Sequence, residues 1–437
     1  MPSPFAALIL RDWLVQTGWS DDSYAHLTRA SRVLLDFVPP RGLSLSVSKA
    51  PTASFVNSAT LNALAPAHLD GSISYFAASQ LALGRSGRIP LRRVLEHFDP
   101  GPLPHRPSEQ AEYWHRGRRH VERDYLLYGR MHVPSARLDG LCAWRASSTT
   151  QALVSYVYIP PVVSPLSPSP TSASASFDAQ ASVTPAIPSS ALLSVELQHD
   201  TGRWRSDCSY SFSDGMFGAR VLHHFGRLEP GAEIATEPAP ASLSESDDRS
   251  TASAGLRGRF SAGGEIHVSA KQRSAGVSTG VRFATLPESS SGLAQPPTVI
   301  TATLNPVMGH VSTAYATRLG RDLALCSRYD FNIHSFDSKL TFGGEWFHRR
   351  RERRANTGVG RDRDLSAFLR AADVVDRGAD IVGVLKARAS TNRDLAFMWE
   401  SRFRECLLGF GFTASLAGRP QPFQSVGLSL SYFSGSS

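Results

Sequence analysis

A two-residue alternation of apolar and polar side chains begins after Gly42 and runs almost to the C-terminus. Such a period commits a chain to strands, because only an extended backbone sends successive side chains to opposite faces. Gly42–Lys49 sets Leu43, Leu45 and Val47 against Ser44, Ser46 and Ser48. Arg203–Ser213 sets Trp204, Cys208, Tyr210 and Phe212 against Arg205, Asp207, Ser209 and Ser211. Gly276–Ala284 puts Val277, Val281 and Phe283 on one face. Asp322–Asn332 turns Leu323, Leu325, Tyr329 and Phe331 away from Asp322, Arg328 and Asp330, and Asp394–Phe403 turns Leu395, Phe397, Trp399 and Phe403 away from Asp394, Glu400 and Arg402. Roughly nineteen or twenty such segments follow one another, joined by turn signals at Asp70-Gly71, Asp139-Gly140, Asp214-Gly215 and Asn305-Pro306. Leu256–Gly263 and Gly264–Lys271 read either as two strands or as one strand bulged at its glycine pair.

Two architectures satisfy this period, a soluble β-sandwich and a closed membrane barrel. No apolar stretch is long enough for a helical span, but a barrel strand needs only about ten alternating residues. The segments lack the two-sided apolar runs that several stacked sheets would need, and aromatic residues recur near their ends as in membrane girdles. Closure also removes every free strand edge, which lipid would not tolerate. The expected fold is all-β: a transmembrane β-barrel of about nineteen antiparallel strands, porin-like, over residues 41–437, with a helical segment at 1–40.

Within 1–40, Phe5–Thr17 forms one expected helix, with Phe5, Leu8, Ile9 and Trp13 near one face. A second begins at Asp21, Asp22 or Ser23 and runs through Tyr24, Leu27, Leu34 and Leu35 until Pro39-Pro40 stops it. Because it leads straight into the first strand, the segment is expected to line or plug the lumen; the alternative is a helix lying on the membrane surface. Interruptions near 84–123, 160–190, 226–254 and 349–380 read as loops, since the strand pattern resumes after each. The Pro/Ser/Ala tract at 160–190 has too little apolar area to offset the entropy of ordering it.

The 46 Lys+Arg against 38 Asp+Glu leave a charge of +8, which favours anionic surfaces. The cations bunch in segments such as His115–Arg119 and Arg349–Arg354 without interleaved aromatics. That suits headgroup-facing loops and not a nucleic-acid groove. Cys142, Cys208, Cys326 and Cys406 lie too far apart for metal spacing and are expected to be free thiols. The N-terminus resembles neither a secretory leader nor a matrix-targeting presequence, so an organelle address is sought elsewhere.

Catalytic and metal chemistry find no constellation. His223 and His224 face opposite sides of a strand, Ser261–Gly264 lacks the strand–turn–helix setting of a nucleophile elbow or phosphate loop, and Glu345 and Glu400 read as solitary. The chain is expected to be a non-enzyme without cofactor or metal.

The final strand is the most specific element. Ser425-Val426-Gly427-Leu428-Ser429-Leu430-Ser431-Tyr432 fits the polar-x-Gly-x-x-hydrophobic-x-hydrophobic form that resembles the mitochondrial β-signal. Ser425 and Gly427 share one face, while Leu430 and Tyr432 lie on the other. More of the chain then resembles one family. The matching blocks are Tyr24 with Ser31–Phe37, Asp70–Tyr75, Tyr128–Met131, Leu197–Asp200, Gly258–Gly263, Leu304–Pro306 with Gly309-His310, Cys326–Asn332, and Gln421–Phe423 with Gly427 and Tyr432. In that order they resemble the mitochondrial distribution and morphology protein 10 family, whose fungal members are barrel subunits of the ER–mitochondria encounter structure.

The resemblance implies an outer-membrane barrel at ER–mitochondria contact sites. It implies a role as anchor for the other tether subunits, among them lipid-transfer-domain proteins and an ER-anchored subunit, in support of phospholipid exchange and mitochondrial shape and distribution. It further implies assistance to the sorting and assembly machinery in late assembly of the protein-import translocase. Ser425, Gly427, Leu430 and Tyr432 would form the insertion signal. Tyr75, Tyr329 and Phe331, aromatics within the matching blocks, are candidates for partner contact, with ordinary girdle residues as the alternative. The family block around Tyr75 often carries a second aromatic where this chain has Ala77. Outer-membrane lipids are expected partners and nucleic acid is not. The competing function is a porin-like metabolite channel, which the polar inner face permits.

Overall fold

A computed structural model describes residues 4–64, 68–79, 89–100, 112–115, 118–121, 124–161, 190–225, 258–285, 296–349, 381–416 and 422–435. The chain begins with α1 (Pro4–Gln16), a 3₁₀ turn (Tyr24–His26) and α2 (Arg29–Leu35). Three wall strands follow: β1 (Gly42–Thr52), β2 (Phe55–Leu64) and β3 (His68–Ala78). The long β3 connection holds α3 (Leu91–Val94) and a separate two-stranded ribbon of β4 (Glu112–His115) and β5 (Arg118–Val121).

The wall resumes with β6 (Tyr125–Val133), β7 (Leu138–Arg145), β8 (Thr150–Ile159), β9 (Ser190–Asp200) and β10 (Trp204–Ser211). It continues with β11 (Met216–Phe225), β12 (Gly258–Ser269), β13 (Ser274–Thr285), β14 (Thr298–Asn305) and β15 (His310–Leu319). It ends with β16 (Leu323–Asn332), β17 (Ser338–Arg349), β18 (Ile381–Ser390), β19 (Asp394–Phe403), β20 (Cys406–Ser415) and β21 (Phe423–Ser434).

These make one 19-stranded sheet in which β1 pairs with both β2 and β21, so the sheet closes on itself as a barrel. The meander is antiparallel except at the seam, where β1 and β21 run parallel from Gly42↔Gly427 to Lys49↔Ser434. The strand count requires this. An odd number of up-and-down strands brings the first and last to the seam pointing the same way, in the less stable of the two ladders. The uncertain glycine pair of the sequence resolves into the single strand β12, whose twelve residues pair with β13 without a register shift. No helix among the described residues is long and apolar enough to cross a membrane.

The alternation read from the sequence sorts inside from outside. Leu43, Leu45 and Val47 point outward while Ser46 and Ser48 are buried within, and Trp204, Tyr210 and Phe212 point outward opposite buried Arg205 and Asp207. The expected second helix is shorter than its apolar pattern suggested: the chain spends Tyr24–His26 in a 3₁₀ turn and becomes α-helical only at Arg29. The interruptions expected at 160–190, 226–254 and 349–380 fall almost wholly outside the described residues. That expected at 84–123 differs from a plain loop, because Ile89, Leu91, Val94, Leu95 and Phe98 are buried inside the barrel with α1.

Candidate functional site

The lumen is where inward side chains, buried charge and the N-terminal segment converge. Phe5, Leu8, Ile9 and Trp13 recur at helical spacing and are all buried, so α1 has one apolar stripe to cover. Inward residues near one end of the wall cover it: Val56, Phe76, Leu126, Phe347, Leu407 and Phe433. Phe5 stacks on Phe433 with centroids 5.1 Å apart. The helix ends at Gly18, whose φ of 64° is the left-handed value that glycine adopts at no steric cost. Trp19 then inserts between two guanidiniums, with Arg145 and Arg205 each 5.6 Å from its ring. The same arginines donate to the carbonyls of Thr17 and Ser20.

Further along, charges on the wall fix the segment. Arg282 donates to both oxygens of Asp22 at 2.7 and 2.6 Å, with Arg259 at 3.5 Å and His224 at 3.9 Å from the same carboxylate. The Tyr24 hydroxyl meets Ser278 Oγ at 2.7 Å. Arg328 forks onto Asp36 at 2.7 and 2.9 Å, and Arg388 donates to the Leu35 carbonyl. Two-toothed arginine–carboxylate pairs add geometric specificity to charge, so they set position as well as hold it.

Between the charges lie sockets. A Cβ at Gly263 would meet Tyr24 at 2.9 Å, one at Gly280 would meet Leu27 at 2.5 Å, and one at Gly343 would meet Leu35 at 2.7 Å. At Gly411 it would meet Pro39 at 2.7 Å, and at Gly427 it would run into the Pro40 carbonyl. Successive residues of the segment therefore rest on glycines of β12, β13, β17, β20 and β21. A size exchange tests this contact. Gly280→Ala is expected to cost about 1–3 kcal/mol through overpacking, and the cost should fall when Leu27→Ala is added. A double-mutant cycle of thermal unfolding in detergent measures the coupling, and strictly additive effects would contradict the socket.

The inserted residues 89–98 fill the space beside α1. Glu345 accepts the Phe98 N–H at 2.7 Å and sits 3.8 Å from Lys386, which donates to the carbonyls of Val33 and Glu96. Arg318 and Arg402 donate to the carbonyls of Phe98 and Ile89. Arg93 pairs with Asp12 at 2.9 Å, and Arg11 donates to the Val94 carbonyl, so insert and helix hold each other. Burial pushes His97 down to about 4. Its neutral ring accepts from Arg92 Nε at 3.2 Å and donates through Nδ1 to the Leu95 carbonyl. Glu345 is thus not solitary as the sequence suggested. Its partner stands across the β17–β18 ladder, a neighbour that spacing along the chain does not reveal.

The residues singled out from the sequence fall into three places. Ser425 and Gly427 face inward on β21, while Leu430 and Tyr432 face outward beside Leu45 and Val47 of the seam. Tyr75 is half exposed on the outer face of β3, and Phe55 of the adjacent strand stacks on it at 6.0 Å. That ring stands across the ladder from Ala77. Tyr329 and Phe331 stack at 6.4 Å on the outer face of β16, on a different wall from Tyr75. His224 faces inward to Ser261 Oγ at 2.9 Å, whereas His223 faces outward between Trp204 and Phe225. The four cysteines are free. Sequence reasoning missed the 89–98 insert, although Leu91, Val94, Leu95 and Phe98 carry the helical spacing that could have revealed it.

Comparison with known proteins adds a family. The family model described as mitochondrial distribution and morphology protein 10 matches residues 4–377. The protein of that name from Laccaria bicolor is 39% identical over 460 aligned positions, covering 99% of each chain. Those from Postia placenta and Sclerotinia sclerotiorum are 38% and 34% identical, covering 99% and 96% of each chain.

Proposed function

This chain belongs to the mitochondrial distribution and morphology protein 10 family, and from that premise we propose that it is an integral barrel of the mitochondrial outer membrane serving as an anchor and assembly subunit. On this reading it holds the ER–mitochondria tether, with its lipid-transfer-domain and ER-anchored subunits, to the outer membrane. It also assists the sorting and assembly machinery in late assembly of the import translocase. The family's name assigns it to mitochondrial distribution and morphology, and a closed 19-stranded barrel fits the outer membrane.

The observation that supports an anchor over a metabolite channel is the filled lumen. α1, the 89–98 insert and α2 occupy the interior and are bonded to it by Arg145, Arg205, Arg282, Arg318, Arg328, Lys386 and Arg388. A conduit would leave those cations facing water. Here they hold chain. Ser425, Gly427, Leu430 and Tyr432 serve in this reading as the insertion signal. Tyr75 with Phe55, and Tyr329 with Phe331, serve as outward aromatic contacts for partners within the membrane.

Affinity isolation of the tagged full-length chain from detergent-solubilised mitochondria tests the proposal. Tether subunits and assembly-machinery subunits are both expected to co-purify. Recovery of neither would overturn it.

A further inference from the structure

The outer face of β15–β20 is not smooth. A cavity of about 720 Å³ opens there, lined by Tyr315, Leu325, Phe342, Leu395, Phe397 and Phe412. Its floor is made of small residues, Ser327, Gly344, Ala387 and Ala389. Register explains the hollow. Leu325, Gly344, Ala387 and Phe397 are successive cross-strand neighbours, as are Ser327, Phe342, Ala389 and Leu395. In the first row Gly344 and Ala387 lie between Leu325 and Phe397, and in the next Ala389 lies between Phe342 and Leu395, so large side chains surround a patch of small ones. The cavity lies outside the lumen, because the luminal face of the same wall is filled: Leu35 rests on Gly343 and Arg388 reaches the Leu35 carbonyl.

Beyond its edge at Ala389 and Leu395 lies the turn between β18 and β19. Ala389 is two residues before Thr391 and Leu395 two residues after Arg393, about 7 Å of strand in each direction. Thr391, Asn392 and Arg393 are exposed there, offering a hydroxyl, an amide and a guanidinium at the barrel rim. The volume falls within the roughly 300–1,000 Å³ typical of small-ligand sites, which pair apolar walls with a few polar groups at one end.

We propose that this hollow is a seat for one membrane phospholipid, with an acyl chain along Gly344, Ala387 and Ala389 and its phosphate at the Thr391–Arg393 turn. The apolar walls, on the outward face of a barrel read as lying in a membrane, suit an acyl chain. Arg393, an exposed cation of this turn among the described residues, matches a phosphate, which an apolar partner helix does not carry. The inference rests on the barrel lying in a membrane, as proposed above.

The test reconstitutes the full-length chain into vesicles of phosphatidylcholine and phosphatidylserine carrying a phospholipid with a photoactivatable acyl chain, and maps the cross-links by peptide mass. Labelling is expected to concentrate on Phe342 and on 387–397. Ala387→Trp fills the floor and should lower it about tenfold, since excluding even two methylenes from the seat weakens binding that much. Arg393→Glu, on an exposed turn where folding is not at issue, should lower it as well. Leu197→Trp, on the outer face of β9, should leave it unchanged. Even labelling around the wall, or labelling indifferent to both variants, would overturn the seat. So would a partner's helix cross-linked to these residues in native membranes in place of lipid. Failure of the membrane reading itself would look different: the chain would be released by carbonate extraction before any lipid question arose.

Discussion

Gly427→Leu is expected to reduce the carbonate-resistant, membrane-integrated barrel to background when the labelled chain is imported into isolated mitochondria. The argument is steric and lies at the seam. Gly427 faces the lumen where Pro40 and Arg41 cross β21, and any Cβ there would run into the Pro40 carbonyl. That obstacle is backbone, in a Pro39-Pro40 stretch whose φ angles are fixed, and it gives way less readily than a flexible side chain would. Gly411 on β20 makes the same allowance for Pro39. Two residues later Gly42, with φ of 66°, turns the chain into the first seam pair, Gly42↔Gly427. A bulky residue at 427 therefore displaces the very residues that start the closing ladder.

Leu430→Ala and Tyr432→Ala keep the ladder and remove only outward apolar area, so each alone should lower integration without abolishing it. The triple replacement of Gly427, Leu430 and Tyr432 should block integration. Normal insertion of Gly427→Leu would sink the steric account, and normal insertion of the triple variant would sink the signal assignment.

The contrast between these positions shows what a sequence of this kind can and cannot tell. Leu428, Leu430 and Tyr432 are legible because an outward side chain answers to one uniform environment, and the period alone identifies it. The same rule made most of the wall readable, from Leu43 to Tyr432. Inward positions answer to particular neighbours. Gly280 and Gly343 look alike in the sequence, yet one receives Leu27 and the other Leu35, residues more than two hundred positions away. Lys386 reads as an unremarkable strand cation until β17 brings Glu345 beside it. The parallel seam was open to inference from an odd strand count, but the alternation left nineteen and twenty strands both possible. The insert at 89–98 carried its own apolar spacing and was hidden only by the loop-like composition around it.

The largest effect expected inside the barrel comes from Asp22→Lys, which should release the N-terminal segment and convert a closed barrel into a conducting one. Asp22 joins three wall strands: Arg282 of β13 forks onto both its oxygens, Arg259 of β12 stands at 3.5 Å and His224 of β11 at 3.9 Å. Burial works to raise the Asp22 pKa, but Arg282, with His224 and Arg259, outweighs it and holds the group down at about 2. A depressed carboxylate contributes stability that is present above its unfolded pKa near 4, and that stability is lost as pH falls through about 2. The clamp is therefore fully engaged at any physiological pH and should loosen only in strong acid.

Reversing the charge sets an ammonium against two guanidiniums in a buried site. Loss of a buried pair costs on the order of 3–5 kcal/mol, roughly a hundredfold to a few thousandfold in the docked population of the segment. Asp22→Asn keeps the shape and some hydrogen bonding and should release the segment less. Planar-bilayer recording is expected to show little conductance for the native barrel and large, frequent openings for Asp22→Lys, with new protease cleavage between residues 17 and 29. Retained mobility on unheated gels would show that the wall itself remains folded. A native barrel that already conducts at porin level would return the channel reading to first place. An Asp22→Lys barrel that stays closed and protected would mean the glycine sockets, and not the charge cluster, hold the segment.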